Sequence, residues 1–188
     1  MQYPVTRVLY RPVSTRVAVL LGRTSITPTA VTWISAVMAV GAAVLLGFGA
    51  YVAGGLLTLA AVIADCADGD LARSTGRSSP GGAFLDSVLD RWTDAALVLG
   101  LMYSDLEAYG TVGGLALTAS LLTSYTRARA QSLGVDCPEG VGGRDARILI
   151  LVVAAVTGFI WWGLAVVAVA GFVTSVQRGV LASRRLAD

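Results

Sequence analysis

The longest uncharged stretch of this sequence covers residues 24–64, which contain no Asp, Glu, Lys or Arg. As a single α-helix rising 1.5 Å per residue it would be about 60 Å long, roughly twice the thickness of the hydrocarbon core of a bilayer. The stretch must therefore form two membrane spans. The segment 47–55 contains four glycines, which predict the turn between the two spans.

Three further apolar stretches raise the predicted number of transmembrane helices to six. Residues 83–103 and residues 108–126 each provide one span, and residues 148–177 provide two if each borrows flanking sequence. We expect the break within the last stretch near Trp161 and Trp162, because indole rings prefer the membrane interface. Together these segments predict a transmembrane bundle over about residues 28–184.

The composition agrees with a chain that is surrounded largely by lipid. Hydrophobic residues make up 55% of the sequence and charged residues only 14%, against roughly 25% charged residues in a soluble domain. A soluble enzyme is therefore not expected. The sequence predicts an all-α, polytopic membrane protein with a single domain, residues 1–188, that binds no nucleic acid.

The arginines predict the orientation in the membrane, because cytoplasmic loops carry an excess of positive charge. They precede span one, follow span two, separate spans four and five, and close the chain. Both termini are therefore expected on the cytoplasmic side of the plasma (inner) membrane. Residues 4–22 predict an interfacial amphipathic helix on the same side. A signal peptide fits less well, because no small-residue cleavage site follows an apolar core.

The residue types that are missing exclude much catalytic chemistry. All 14 basic residues are Arg, and the sequence contains no His. A Ser-His-Asp triad, a His-ligated zinc site and a Lys Schiff base are therefore excluded. Cys66 and Cys137 stand alone in their segments and are expected to be ordinary small apolar residues. Catalysis must use carboxylates, arginines, hydroxyls and bound ions.

Half of the twelve acidic residues fall within residues 65–94. Asp65 and Asp68 are three residues apart at the end of span two, and Asp86 and Asp90 are four apart at the start of span three, so each pair shares a helix face. Carboxylates brought together near a bilayer need a compensating cation. Oxygen ligands favour Mg²⁺ or Mn²⁺, and four carboxylates predict two such ions about 4 Å apart, as in displacement at phosphorus.

The residues beside these carboxylates are suited to a phosphate-bearing ligand. Gly69 and Gly82 have no side chain and Ala72 has a small one, so a ligand can approach the backbone, and Arg73 offers a fork of donors to phosphate oxygens. The alternative is that the aspartates only pair with nearby arginines at a hydrated helix end. The two-metal hypothesis does not require the remaining members of the cluster, Asp70 and Asp94.

The run from Asp65 to Asp90 resembles, without a gap, the signature DxxDGxxARx8Gx3Dx3D of the CDP-alcohol phosphotransferase family. The resemblance implies a membrane enzyme that transfers a substituted phosphoryl group from a CDP-alcohol to an acceptor hydroxyl and releases CMP. It implies that the metals are bound by Asp65, Asp68, Asp86 and Asp90, and that Asp90 is also the general base. The implied CDP site comprises Asp68, Gly69, Ala72, Arg73 and Gly82. The usual family form, a homodimer of six-helix protomers, is also implied.

A second resemblance concerns the acceptor. The segment SYTRARA, residues 124–130, and GRDAR, residues 143–147, resemble segments of family members that use inositol phosphate. The resemblance implies that the acceptor phosphate is bound by Arg127, Arg144 and Arg147. Arg127 stands where those enzymes commonly have Lys, and Gly143 stands where they have Glu.

The segment ITPTAVT, residues 26–32, adds Pro28 and Thr32 to the implied nucleotide pocket. Thr27 and Pro28 are also a typical helix start.

The donor remains open between two groups of inositol-phosphate-using enzymes. Phosphatidylinositol-phosphate synthases take CDP-diacylglycerol, whereas di-inositol-phosphate phosphate synthases take CDP-inositol. A phosphatidylglycerophosphate synthase is a further alternative. A different class, an ion-coupled transporter, is less consistent with acids at helix ends, because transporter sites usually lie at the midplane.

Overall fold

The computed structural model describes residues 10–137 and 140–187, and within these ranges every regular element is a helix. The helices are α1 (Arg11–Leu21), α2 (Pro28–Gly47), α3 (Tyr51–Ser74), α4 (Pro80–Ser104), α5 (Leu106–Ser132), α6 (Arg144–Thr157) and α7 (Ile160–Ala187). The predicted all-α class is confirmed.

Short polar caps define where the long helices begin. The Thr27 hydroxyl accepts a hydrogen bond from the Ala30 amide ahead of α2, and Pro28 occupies the first turn, as the sequence predicted. Ser79 caps α4 in the same way through the Gly82 amide, at 3.0 Å, and Asp105 caps α5 through the Ala108 amide. Each cap satisfies an amide that lacks a partner within its helix.

Two predicted turns lie at slightly different positions. The turn between α2 and α3 covers residues 48–50, where Gly49 has φ +79°, so Gly54 and Gly55 lie inside α3 instead. A side chain at Gly54 would collide with Leu46 across the α2–α3 interface. Close packing of these two helices therefore explains why this position is a glycine. The break between α6 and α7 lies at Gly158, also at φ +79°, a few residues before Trp161 and Trp162, near which it was predicted.

Within the described residues, three helices are long and apolar enough to cross a membrane by themselves: α2, α3 and α7. Helix α6 has 14 residues and is therefore only about 21 Å long. Helix α4 carries Asp86, Asp90, Arg91 and Asp94 between its second and fourth turns. These features account for α6 and α4. Helix α5 is long enough, with 27 residues, but Gly, Ser and Thr make it less apolar.

The bundle is held together by closely approaching small residues. Helix α2 packs along α3 and α4, α5 packs along α4 and α7, and α6 packs against α3 and α7. A Cβ at Gly100 would lie 2.3 Å from the Ala43 carbonyl oxygen, so the α2–α4 crossing requires glycine there. Such small-residue contacts are the usual basis of helix association in lipid.

Helix α1 lies against α3 outside the main bundle. It buries Ser14 and Ala18 toward α3, whereas Val13, Val19 and Leu20 are exposed. This two-faced helix agrees with the amphipathic helix predicted over residues 4–22, of which residues 4–9 lie outside the described part of the chain.

Candidate active site

Three of the predicted metal ligands converge where the end of α3 meets the start of α4. Asp65 and Asp68 on α3 and Asp86 on α4 each offer a carboxylate oxygen, and these three oxygens lie within 4.8 Å of one another. Asp68 is buried, and it accepts a hydrogen bond from the Thr32 hydroxyl of α2. Three converging carboxylates fit a hard divalent cation, because oxygen ligands suit such an ion and carboxylates held close together favour a bound positive charge.

Asp90, the fourth predicted ligand, lies one turn further along α4 and is not part of this triad. Its Oδ1 atom lies 2.8 Å from Nη1 of Arg144, and its Oδ2 atom lies 3.6 Å from Nη1 of Arg91. The Arg144 guanidinium also donates to Oδ2 of Asp65, at 2.9 Å. Arg144 therefore bridges the metal triad and the predicted general base.

A cavity of about 190 Å³ lies beside the triad, between the start of α2, the end of α3 and the start of α4. It is lined by all seven residues that the family resemblance assigned to the CDP site: Pro28, Thr32, Asp68, Gly69, Ala72, Arg73 and Gly82. The Arg73 guanidinium lies over Gly69, where its Nη1 atom would be 3.3 Å from an added Cβ. We call this space the donor cavity.

A second cavity, of about 170 Å³, is lined in part by Asp90 and lies between α4, α5, α6 and α7. It brings together the three predicted acceptor residues Arg127, Arg144 and Arg147. Its remaining lining residues are Asp90, Arg91, Asp94, Thr123, Ser124, Asp145 and Arg178. We call this space the acceptor cavity.

Asp94 orders the arginine pair of α6, a role that the sequence analysis did not assign. Its two oxygens accept from Arg144 Nε at 3.2 Å and from Arg147 Nη2 at 2.7 Å. The Nη1 group of Arg147 donates to the Gly142 carbonyl, at 2.7 Å. The spacing of Asp94, four residues after Asp90, was the available signal, because it places both carboxylates on one face of α4.

Arg178 is the second residue of the acceptor cavity that the sequence analysis missed. It is 4% exposed, and its Nη1 group donates to the Thr123 carbonyl of α5 at 2.8 Å. From the sequence, the position of this arginine directly after the uncharged stretch 148–177 predicts only a role in membrane orientation. A buried arginine on a membrane helix is instead typical of a functional site.

The convergent acids, the donor cavity and the arginine-lined cavity define a membrane enzyme that handles phosphate esters with a divalent cation. The CDP-alcohol phosphatidyltransferase family model matches residues 25–177, and the chain belongs to this family. It is thus a transferase.

Several proteins with similar sequences are named as enzymes that make inositol phosphate lipids. Archaetidylinositol phosphate synthase of Methanothermobacter thermautotrophicus is 37% identical over 72% of this chain and 75% of its own length. Phosphatidylinositol phosphate synthase of Cutibacterium acnes is 35% identical over 89% of this chain and 91% of its own. The bifunctional IPC transferase and DIPP synthase of Rubrobacter xylanophilus is 38% identical over 72% of this chain but only 32% of its own.

Solved structures of phosphatidylinositol phosphate synthase from Mycobacterium tuberculosis have the same fold. The structure with bound CDP-DAG superposes with a TM-score of 0.82 at 29% identity, covering 91% of this chain and 94% of that one. The structure in complex with manganese and citrate gives 0.81 at 30% identity, covering 90% and 88% of the two chains. The acid triad described above fits the same class of cation.

Proposed function

We propose that this protein transfers the phosphatidyl group of CDP-diacylglycerol to a hydroxyl of inositol phosphate and releases CMP. The observation that carries the proposal is a pair of cavities that each include aspartates of the acid cluster, one lined by the CDP-motif residues and the other by arginines. The donor is supported by the CDP-DAG bound to the mycobacterial enzyme and the acceptor by the names of the relatives.

The charge of the acceptor cavity supports a phosphorylated acceptor. Five arginines and three aspartates line it, which leaves a formal excess of two positive charges. A phosphate monoester carries a charge of about −1.5 to −2 at pH 7. A cavity for an uncharged alcohol would not need this excess.

The proposed reaction is a direct displacement. The acceptor oxygen forms a bond to the phosphorus that carries the lipid, the bond from this phosphorus to the CMP oxygen breaks, and CMP leaves. Asp90 accepts the proton of the acceptor hydroxyl, and Arg73 binds donor phosphate oxygens. Asp65, Asp68 and Asp86 would hold Mg²⁺ or Mn²⁺, with Asp90 as a further ligand if two ions bind. The cation would neutralise the donor phosphates and the leaving group.

We also propose the membrane arrangement that the sequence predicted: one domain over residues 1–188, six spans, both termini and the site on the cytoplasmic side of the plasma (inner) membrane, and a homodimer. The turns at residues 48–50, 105 and 158–159 contain no arginine. The arginines of α3, α5, α6 and α7 instead lie near the helix ends that surround the site. This asymmetry supports the proposed orientation.

The proposal is tested by CMP release from purified protein in detergent with Mg²⁺ or Mn²⁺. We expect CMP and a phosphorylated inositol lipid from CDP-diacylglycerol and inositol phosphate together, and none when either substrate or the cation is omitted. CDP-inositol as donor, and glycerol phosphate, serine or unphosphorylated inositol as acceptor, are the comparison arms. Equal turnover with unphosphorylated inositol, or CMP from no pairing, would contradict the proposal.

A second candidate is transfer from CDP-inositol, as in a di-inositol-phosphate phosphate synthase. It is favoured by the similarity to the Rubrobacter protein, whose name includes DIPP synthase. Turnover with CDP-inositol but not with CDP-diacylglycerol would establish this candidate.

Arg127 provides a test of the acceptor site. We expect Arg127→Gln to raise KM for the phosphorylated acceptor by about tenfold or more, because a charge-assisted hydrogen bond to phosphate is lost, and to leave KM for the donor unchanged. Arg129→Gln is the matched control, since Arg129 lies on the same helix, is exposed, and contacts Ser132. Equal effects of the two substitutions would exclude Arg127 from the acceptor site.

A further inference from the structure

Asp70 connects the amphipathic helix α1 to the donor cavity. Its Oδ1 atom lies 2.8 Å from Nη2 of Arg73, and its Oδ2 atom lies 3.1 Å from the Ser14 hydroxyl of α1. Arg11 and Thr15 of α1 also approach this carboxylate, at 3.6 Å and 3.4 Å. One carboxylate thus contacts both the motif arginine and the only helix that lies outside the bundle among the described elements.

The ion pair of Asp70 and Arg73 is too exposed to contribute much to folding stability. The Arg73 side chain is 62% exposed and the Asp70 side chain is 13% exposed, and exposed pairs generally contribute little. The ion pair instead affects the orientation of the Arg73 side chain. A long arginine side chain has many rotamers. A ligand that must immobilise such a side chain binds more weakly, because conformational entropy is lost.

The orientation that Asp70 selects is the one that faces the donor. The guanidinium lies over Gly69, whose missing side chain leaves room for it on the wall of the donor cavity. Asp70 does not itself line this cavity, so it would act through Arg73. Ser14 is fully buried, and its contact fixes the Asp70 carboxylate from the side of α1.

We propose that Asp70 is a positioning residue that holds Arg73 ready for the donor diphosphate, and that α1, through Ser14, holds Asp70. The inference rests on the proposed function for its substrate, although it concerns only the donor half of the site. It also gives α1 a role beyond attachment to the membrane surface: the docking of this helix on α3 sets the affinity for the CDP-alcohol.

The test uses Asp70→Asn in the full-length protein. Asparagine keeps the acceptor for Ser14 but removes the charge that orients Arg73. We expect KM for the donor to rise about tenfold while kcat stays within about twofold, since the interaction is the same in the ground state and the transition state. Ser14→Ala should raise KM by a smaller factor, and Asp70→Glu should restore part of the affinity. Glu107→Gln, an exposed carboxylate on α5, is the control for loss of charge.

A double substitution separates positioning from a merely structural role. If Asp70 acts through Arg73, then Asp70→Asn combined with Arg73→Gln should bind the donor no more weakly than Arg73→Gln alone. The inference would be overturned if the two single substitutions weakened donor binding by factors that multiply in the double variant. It would also be overturned if Asp70→Asn left the donor KM unchanged.

CDP binding, measured by titration calorimetry with Mn²⁺ present, keeps this test independent of the acceptor. If Asp70→Asn binds CDP about tenfold more weakly than wild type, and the wild-type protein turns over no inositol phosphate, the positioning role is supported and the proposed function is contradicted. Wild-type protein that binds no CDP would overturn both. Normal turnover together with unchanged CDP affinity in Asp70→Asn would overturn the positioning role alone.

Discussion

Substitution of Asp86 by Asn is expected to lower the rate of CMP formation by about a thousandfold, equivalent to about 4 kcal/mol of transition-state stabilisation. The side chain keeps its shape, but the amide replaces one of the three charged oxygens that converge from α3 and α4. Mn²⁺ affinity, measured by electron paramagnetic resonance or calorimetry, should fall in parallel. CMP formation and Mn²⁺ binding that both persist in this variant would exclude the triad as the cation site.

The metal-free protein provides a control for unfolding. Because the three carboxylates repel one another without a cation, removal of one charge should leave the melting temperature of Asp86→Asn unchanged or raise it. Asp136→Asn is the matched variant, since Asp136 is an exposed carboxylate outside both cavities. Its activity should stay within about twofold of wild type, as expected for a surface substitution.

The second large effect is expected for Asp90→Asn. This variant should lose about 10²- to 10⁴-fold in kcat, the usual contribution of a general base, and should keep its affinity for the donor. We expect kcat and donor affinity to respond differently because Asp90 lies beside Arg144, one turn beyond the triad.

Mn²⁺ binding distinguishes the two roles that were predicted for Asp90. Unchanged Mn²⁺ affinity together with lost turnover would assign it as the base, whereas a parallel loss of Mn²⁺ would make it a ligand. Full turnover in Asp90→Asn would remove it from the reaction.

The donor half of the site was predictable from the sequence because it is encoded locally. Asp65, Asp68 and Arg73 lie within one helix, and a short turn joins this helix to Asp86, so fixed spacing nearly determines the geometry. Pro28 and Thr32 depend on α2 packing beside α3, and only the family resemblance supplied them. All of these residues except Asp65 line the donor cavity in the structure.

The acceptor half was less predictable because it is assembled from four helices. Asp94 and Arg178 are far apart in the sequence, and only the packing of α4, α5, α6 and α7 brings them to one cavity. Asp94 had no assigned role, and Arg178 was explained by membrane orientation alone. The boundary between α6 and α7 was also hard to predict. Hydropathy places both helices within one uncharged stretch, whereas the left-handed backbone of Gly158 sets the position of the break.

The cationic lining of the acceptor cavity has a physiological consequence. Every positive charge in it belongs to a guanidinium, which remains protonated throughout the range that cells experience. The contribution of these arginines to the attraction for an anion is therefore independent of pH in this range, unlike that of histidines in a histidine-lined cavity. Any acid–base response of this transferase must arise from its carboxylates or from its substrates.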